Sequence, residues 1–155
     1  MKFRTFKYNI IRAIKVINHA VNAETMKMLG GILIDANAPN MVELTAYSND
    51  IKIKYYVHAD VEQKGSVVCN PKYLMNISKG ENKEVIISTD KDNVIEMKIG
   101  TYKQKWQGIV AGNYPKISMP ECNDELMLEQ ERFREILTKT VPFAAPTVGY
   151  RPQYN

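Results

Sequence analysis

Two cysteines are all the chain contains, Cys69 and Cys122, with no CxxC pairing and no histidine close to either. That spacing excludes a cysteine-based metal site or a disulfide framework, and both thiols are expected to be reduced and buried. Histidine is just as scarce, with only His19 and His58. No GxxxxGKS/T, HExxH or GxSxG motif is present, and no acid pair converges with a histidine. The usual nucleophilic and acid–base constellations therefore cannot be assembled, so neither catalytic residues nor a cofactor are expected. Long apolar runs are missing too: none approaches the ~18 residues of a membrane helix. Met1-Lys2-Phe3-Arg4 runs straight into polar–apolar alternation without an apolar leader segment. The expectation is a cytoplasmic protein with no membrane partner.

Acidic residues are absent where basic ones gather. The first carboxylate is Glu24, after Lys2, Arg4, Lys7, Arg12 and Lys15. A second acid-free window, residues 97–120, carries Lys98, Lys103, Lys105 and Lys116, and the acids Glu121, Asp124, Glu125, Glu129, Glu131 and Glu135 follow it directly. The formal charge of +4 only permits a polyanionic partner. The sorting of charge along the chain is the more informative feature.

The segment MKFRTFKYNIIRAIKVINHAVN sets the pattern. Met1 to Lys7 alternates as a strand, with Met1, Phe3 and Thr5 on one face. From about Tyr8 to Val21, Ile10, Ile14, Ile17 and Val21 recur at helical spacing with Ile11 beside them, while Arg12, Lys15 and His19 fall on the opposite side. A helix with one cationic side and one apolar side suits a polyanion as well as it suits ordinary solvation. Met28 to Asp35, opened by Gly30 and Gly31, and Met41 to Tyr47 read as a hairpin around a turn at 36–40. Ile51 to Val57 adds a third strand.

The same order then recurs. After a polar loop ending at Gly65, Ser66 to Cys69 predicts a short strand. Asn70-Pro71 predicts a cap followed by proline at the first helical position of a helix reaching about Ser78. Leu74 and Ile77 point inward, with Lys72 and Lys79 on a common polar side. Glu84 to Thr89, Val94 to Gly100 and Thr101 to Gln107 predict three more strands. Two β-α-β-β-β units mean an internal duplication, an α+β fold in which helices lie on one side and antiparallel sheets on the other. Both cationic helix sides would then open on one side of the domain. The nine tyrosines could stack on single strands, but Tyr55, Tyr56 and Tyr73 are expected to pack within sheet or helix faces.

Residues 1–120 are expected to form the first domain and 121–155 the start of a second. In that second segment Phe133, Ile136, Leu137 and Val141 make one helical stripe, and a Pro-rich stretch leads to Asn155. The chain reads as a truncated piece of something longer.

The residues now quoted resemble the bacterial sliding-clamp family, the beta subunits of DNA polymerase III. MKF with its amphipathic helix resembles that family's opening. MLGGILIDA, LTAYSNDIKI and VVCNPKYLMNI are similar to its successive strands and second helix. IGTYKQKWQGIVAGNYPKI is similar to its edge strand and aromatic-Pro loop, and RFREILTKTVPFAAPTVGYRPQYN to the first helix of its second domain and the arginine after it. The resemblance implies the DNA clamp (processivity) fold, in which repeated domains close around duplex DNA and hold the replicative polymerase on its template. It also implies that the pocket for polymerase and clamp loader, and the ring-closing third domain, lie outside this chain. Self-association into a ring would belong to the full-length form.

A clamp must touch phosphates without reading bases. On that reading Arg12, Lys15, Lys72, Lys79, Arg132, Lys139 and Arg151 are the candidate DNA contacts. Where the family carries an arginine after its first helix, this chain has only Lys27. On the edge strand Gln104 and Trp106 occupy the family's subunit-interface positions, Trp106 as an anchor. The alternative to a clamp is a free-standing, clamp-like accessory module that binds a protein by its sheet edge and does not encircle DNA.

Overall fold

The computed structural model describes residues 1–21, 30–48, 51–75, 82–115 and 126–144. The chain divides into two compact units, Met1–Lys116 and Ile117–Asn155.

Unit 1 begins with strand β1, Lys2–Phe6, which buries Phe3 and Thr5 and passes directly into helix α1, Lys7–Ile17, extended by a 3-10 turn at Asn18–Ala20. Helix α1 has no acid in its first turn and no cap from its own preceding residue. Its free N-terminal amides are satisfied from elsewhere: Lys7 N–H donates to the Lys83 carbonyl at 3.0 Å and Tyr8 N–H to Asn82 Oδ1 at 3.0 Å. Packing is what holds the helix. Ile10, Ala13, Ile14 and Ile17 are all buried to within 1% of complete, and each isoleucine contributes about 1.5–3 kcal/mol relative to exposure.

Strands β2 (Ile32–Ala38), β3 (Met41–Tyr47), β4 (Lys52–His58) and β5 (Asp60–Gln63) complete the first half. The second half repeats the order with β6 (Ser66–Cys69), α2 (Pro71–Met75), β7 (Glu84–Thr89), β8 (Val94–Ile99), β9 (Tyr102–Gln107) and β10 (Ile109–Val110). Asn70 caps α2 as expected, its Oδ1 accepting the Lys72 N–H at 2.9 Å.

The halves exchange strands. One sheet runs β5-β1-β7-β8-β9 and the other β10-β6-β2-β3-β4, all neighbours antiparallel. Advancing every strand by half the chain order converts one sheet into the other. Neither repeat could close its sheet alone, because each lends its first strand to the other's hairpins. Helix α1 packs chiefly on β4 and β3, the hairpin strands of its own repeat. A single core contains Phe3, Ile87, Ile95 and Met97 from one sheet, Ile32, Ile34, Val42 and Leu44 from the other, and Leu74 of α2.

Two strands expected as loop are sheet. Strand β5, Asp-Val-Glu-Gln, is polar because its side chains meet solvent and partner charges; Lys2 pairs with Glu62 at 2.6 Å and Arg4 with Asp60 and Glu62 at 3.0 Å each. Strand β10 is two residues long and carries no periodicity. The first hairpin is also tighter than expected. β2 extends through Ala38 after a bulge near Asp35, and Asn40 takes a left-handed conformation, φ 60°, that asparagine tolerates. Gly30 and Gly31 precede β2 instead of lying in it.

Unit 2 contains α3, Gln130–Thr140, and a 3-10 turn at Val141–Phe143. The expected stripe is present on α3, with Phe133, Ile136 and Leu137 each between 42% and 46% exposed.

Candidate nucleic-acid interface

Helices α1 and α2 pack against each other while burying their apolar sides in the common core. Each helix keeps an exposed polar side. Arg12, Lys15 and His19 of the first helical stretch and Lys72 of the second are exposed there. Neither α1 nor α2 contains a carboxylate. Among the described residues Arg12, Lys15 and Lys72 have no ion-pair partner.

Most strand cations have carboxylate partners instead, exposed Lys103 of β9 being without one among the described residues. Besides the Lys2 and Arg4 pairs, Lys54 reaches Glu43 at 2.8 Å across β4 and β3, and Lys98 reaches Glu96 at 2.9 Å with Lys105 at 3.6 Å from the same carboxylate. The acids respond accordingly. Glu62 is held below the usual carboxylate range chiefly by its hydrogen bond from Lys2, and Glu96 chiefly by that from Lys98. For Glu43, burial opposes ionisation, yet hydrogen bonds from Lys54 and Thr45 carry it below the ordinary value. These five strand cations are each engaged by a carboxylate, Glu62 and Glu96 serving two apiece, whereas the helix cations are free to meet an outside anion.

The remaining candidates fall differently. Lys27, Lys79 and Arg151 lie outside the described residues. Arg132 and Lys139 are brought together on α3, but around one carboxylate: Glu135 accepts from Arg132 at 2.8 Å and from Lys139 at 2.6 Å. Gln104 is half-buried, and its Oε1 accepts the Tyr102 hydroxyl at 3.0 Å. Trp106 is 6% exposed. Its ring stacks on Tyr73 of α2 with centroids 5.4 Å apart and planes at 18°. The expected anchor for a second subunit thus faces inward, where a large apolar ring gains most from burial.

Three features are invisible in the sequence pattern. Lys7, expected to end the first strand, opens α1 instead and is 5% exposed. Tyr114 is buried and offers its hydroxyl to the carbonyls of Gly31 and Thr45, each at 3.4 Å, and burial pushes its pKa up. Tyr56 and Tyr73, expected to be packed, keep 53% and 40% of their surface exposed. Among the described residues no group of histidine, cysteine or acid side chains could hold a metal ion, and no helix is long and apolar enough to cross a membrane.

Two strand-exchanged antiparallel sheets backed by a pair of helices, with a duplication visible in chain order, define the DNA clamp class of α+β domain. The family described as "DNA polymerase III beta subunit, N-terminal domain" matches residues 1–118, and the chain belongs to it. The chain is 28% identical over 149 residues to the beta sliding clamp of Halalkalibacterium halodurans, an alignment covering 88% of this chain and 39% of that one. Its fold matches the DNA polymerase sliding clamp of Bacillus subtilis with a TM-score of 0.87 at 23% identity, covering 98% of this chain and 42% of the other. The DNA polymerase III subunit beta of Pseudomonas aeruginosa gives 0.87 at 16% identity, covering 97% and 41%. The chain therefore spans about two-fifths of the length of the relatives it matches.

Proposed function

We propose that this chain is the first clamp domain and the opening of the second in a DNA sliding clamp, a cytoplasmic, non-catalytic element that keeps a replicative polymerase on duplex DNA. The observation that carries the reading is the helix pair: Arg12, Lys15 and Lys72 stand on adjoining helices, exposed and without carboxylate partners among the described residues. Cations on such a surface attract phosphates by long-range field and counterion release, and without base-edge contacts they allow the duplex to slide. Lys27, Lys79, Arg132, Lys139 and Arg151 extend the proposed contact set. In this proposal polymerase and loader bind domains beyond the chain, and β9, the last strand of its sheet, supplies the ring contact through its outer backbone edge and Gln104.

The test is binding of a labelled duplex of mixed sequence, followed by fluorescence anisotropy at several salt concentrations. Affinity should fall steeply with salt, be indifferent to sequence, and largely vanish in the double variant Arg12→Glu, Lys72→Glu. Undiminished binding by that variant would remove the helix pair from the interface.

A further inference from the structure

Lys72 and Tyr73 are both exposed on α2, and Tyr73 is no loose side chain. Its ring is backed by Trp106 in an offset, near-parallel stack, with centroids 5.4 Å apart and planes at 18°. Despite that contact Tyr73 keeps 40% of its surface in solvent. Trp106 is nine-tenths buried, and its indole N–H has no hydrogen-bond partner. The indole forgoes its hydrogen bond while its ring packs in the core and stacks on Tyr73. The outcome is a phenol fixed in orientation at the surface, backed by a second aromatic and next to a cation without an ion-pair partner among the described residues.

We propose that Tyr73, propped on Trp106 and flanked by Lys72, is a stacking platform for an unpaired base of single-stranded DNA. A nucleobase would complete a three-ring stack on the outer face of Tyr73, with Lys72 taking an adjacent phosphate. Stacking tolerates any base because every base has a π-face, so the platform suits a protein that does not read sequence. A rigid aromatic is the better platform, since its orientation is already fixed before the base arrives. This inference rests on the DNA reading of the helix pair and adds to it a second form of DNA, the unpaired strand that adjoins duplex at a primer end.

Trp106 is the only tryptophan of the chain, so it reports on its own stack. The full chain is titrated with oligothymidylate while Trp106 emission is followed, and separately with duplex by anisotropy. Oligothymidylate should bind in a salt-dependent way and quench Trp106. Tyr73→Phe, which keeps the ring, should behave as wild type, whereas Tyr73→Ala should lose about tenfold in oligothymidylate affinity with duplex affinity changed less than about twofold. Duplex binding without oligothymidylate binding, or oligothymidylate binding that leaves Trp106 emission unchanged, overturns the platform and spares the clamp reading. Binding of neither DNA overturns both. The emission readout on the wild-type chain decides the matter even if Tyr73→Ala does not fold.

Discussion

The backbone amide of Gly108 donates to the carbonyl of Asn93 at 2.9 Å, and a Cβ on Gly108 would stand 2.8 Å from that same oxygen. It would also stand 2.7 Å from a Val67 methyl and 3.0 Å from one of Ile95. Gly108 is the residue at which the chain leaves β9 in one sheet and enters β10 in the other. The strand exchange therefore needs a residue without a side chain at its crossing point.

Gly108→Ala is accordingly expected to destabilise unit 1 by about 1–3 kcal/mol, the usual range for overpacking against backbone and core methyls. Urea unfolding followed by far-UV circular dichroism measures it. A change within the ~0.5 kcal/mol typical of neutral surface positions would mean that the crossing relaxes freely.

Acid should weaken the same fold through the strand ion pairs. Glu43 has a folded pKa below its ordinary value of 4.5: burial opposes its charge, but hydrogen bonds from Lys54, Thr45 and Tyr56 and the Lys54 charge together outweigh it. A carboxylate depressed in the folded state stabilises that state above its unfolded pKa and loses this contribution as pH falls through the folded value. The melting temperature should thus decline as pH drops below about 4.5. Glu43→Gln should melt lower than wild type at neutral pH and show a shallower acid decline. Parallel curves for the two proteins would exclude Glu43 as a contributor.

Most elements of this fold are legible in the sequence because their periodicities are clean. The α1 stripe of Ile10, Ile14 and Ile17 and the Asn70-Pro71 start of α2 are both readable from spacing and cap chemistry alone. The exchange of strands is not, because nothing in β1 distinguishes pairing with β7 from pairing with β2; that choice is made by the closing of the core. Strand β5 is hidden by its own function in the sheet, since Asp60 and Glu62 are there to meet Arg4 and Lys2. At the site, sequence identifies which side of α1 is cationic. Trp106 is misplaced by pattern alone, because alternation assigns it to a half-buried face without saying that Tyr73 closes over it.

Cys69 offers a measure of how rarely unit 1 opens. It is 1% exposed, and burial pushes its thiol pKa up to about 12, so near neutral pH the sulfur is held protonated and shielded from solvent in the native state. In a Cys122→Ser background, Ellman's reagent at pH 8 should label Cys69 only at the rate of unfolding, and the rate should rise in Gly108→Ala. Immediate labelling in native buffer would place the β6 end of the sheet in an open state.

Charge engagement separates the helix cations from the strand cations in their effect on duplex binding. Removing one lysine or arginine from a phosphate lowers the slope of log affinity against log salt by about one. Arg12→Gln and Lys15→Gln should each weaken duplex binding with such a drop in slope, for any sequence. Lys54→Gln and Lys98→Gln should leave the slope unchanged, because those ammonium groups are already bound to Glu43 and Glu96 at 2.8 and 2.9 Å. Arg132 and Lys139 test the same logic from the other direction. Both are held by Glu135, so Glu135→Gln should release two cations and raise the slope, whereas an unchanged slope would remove α3 from the proposed DNA contact set.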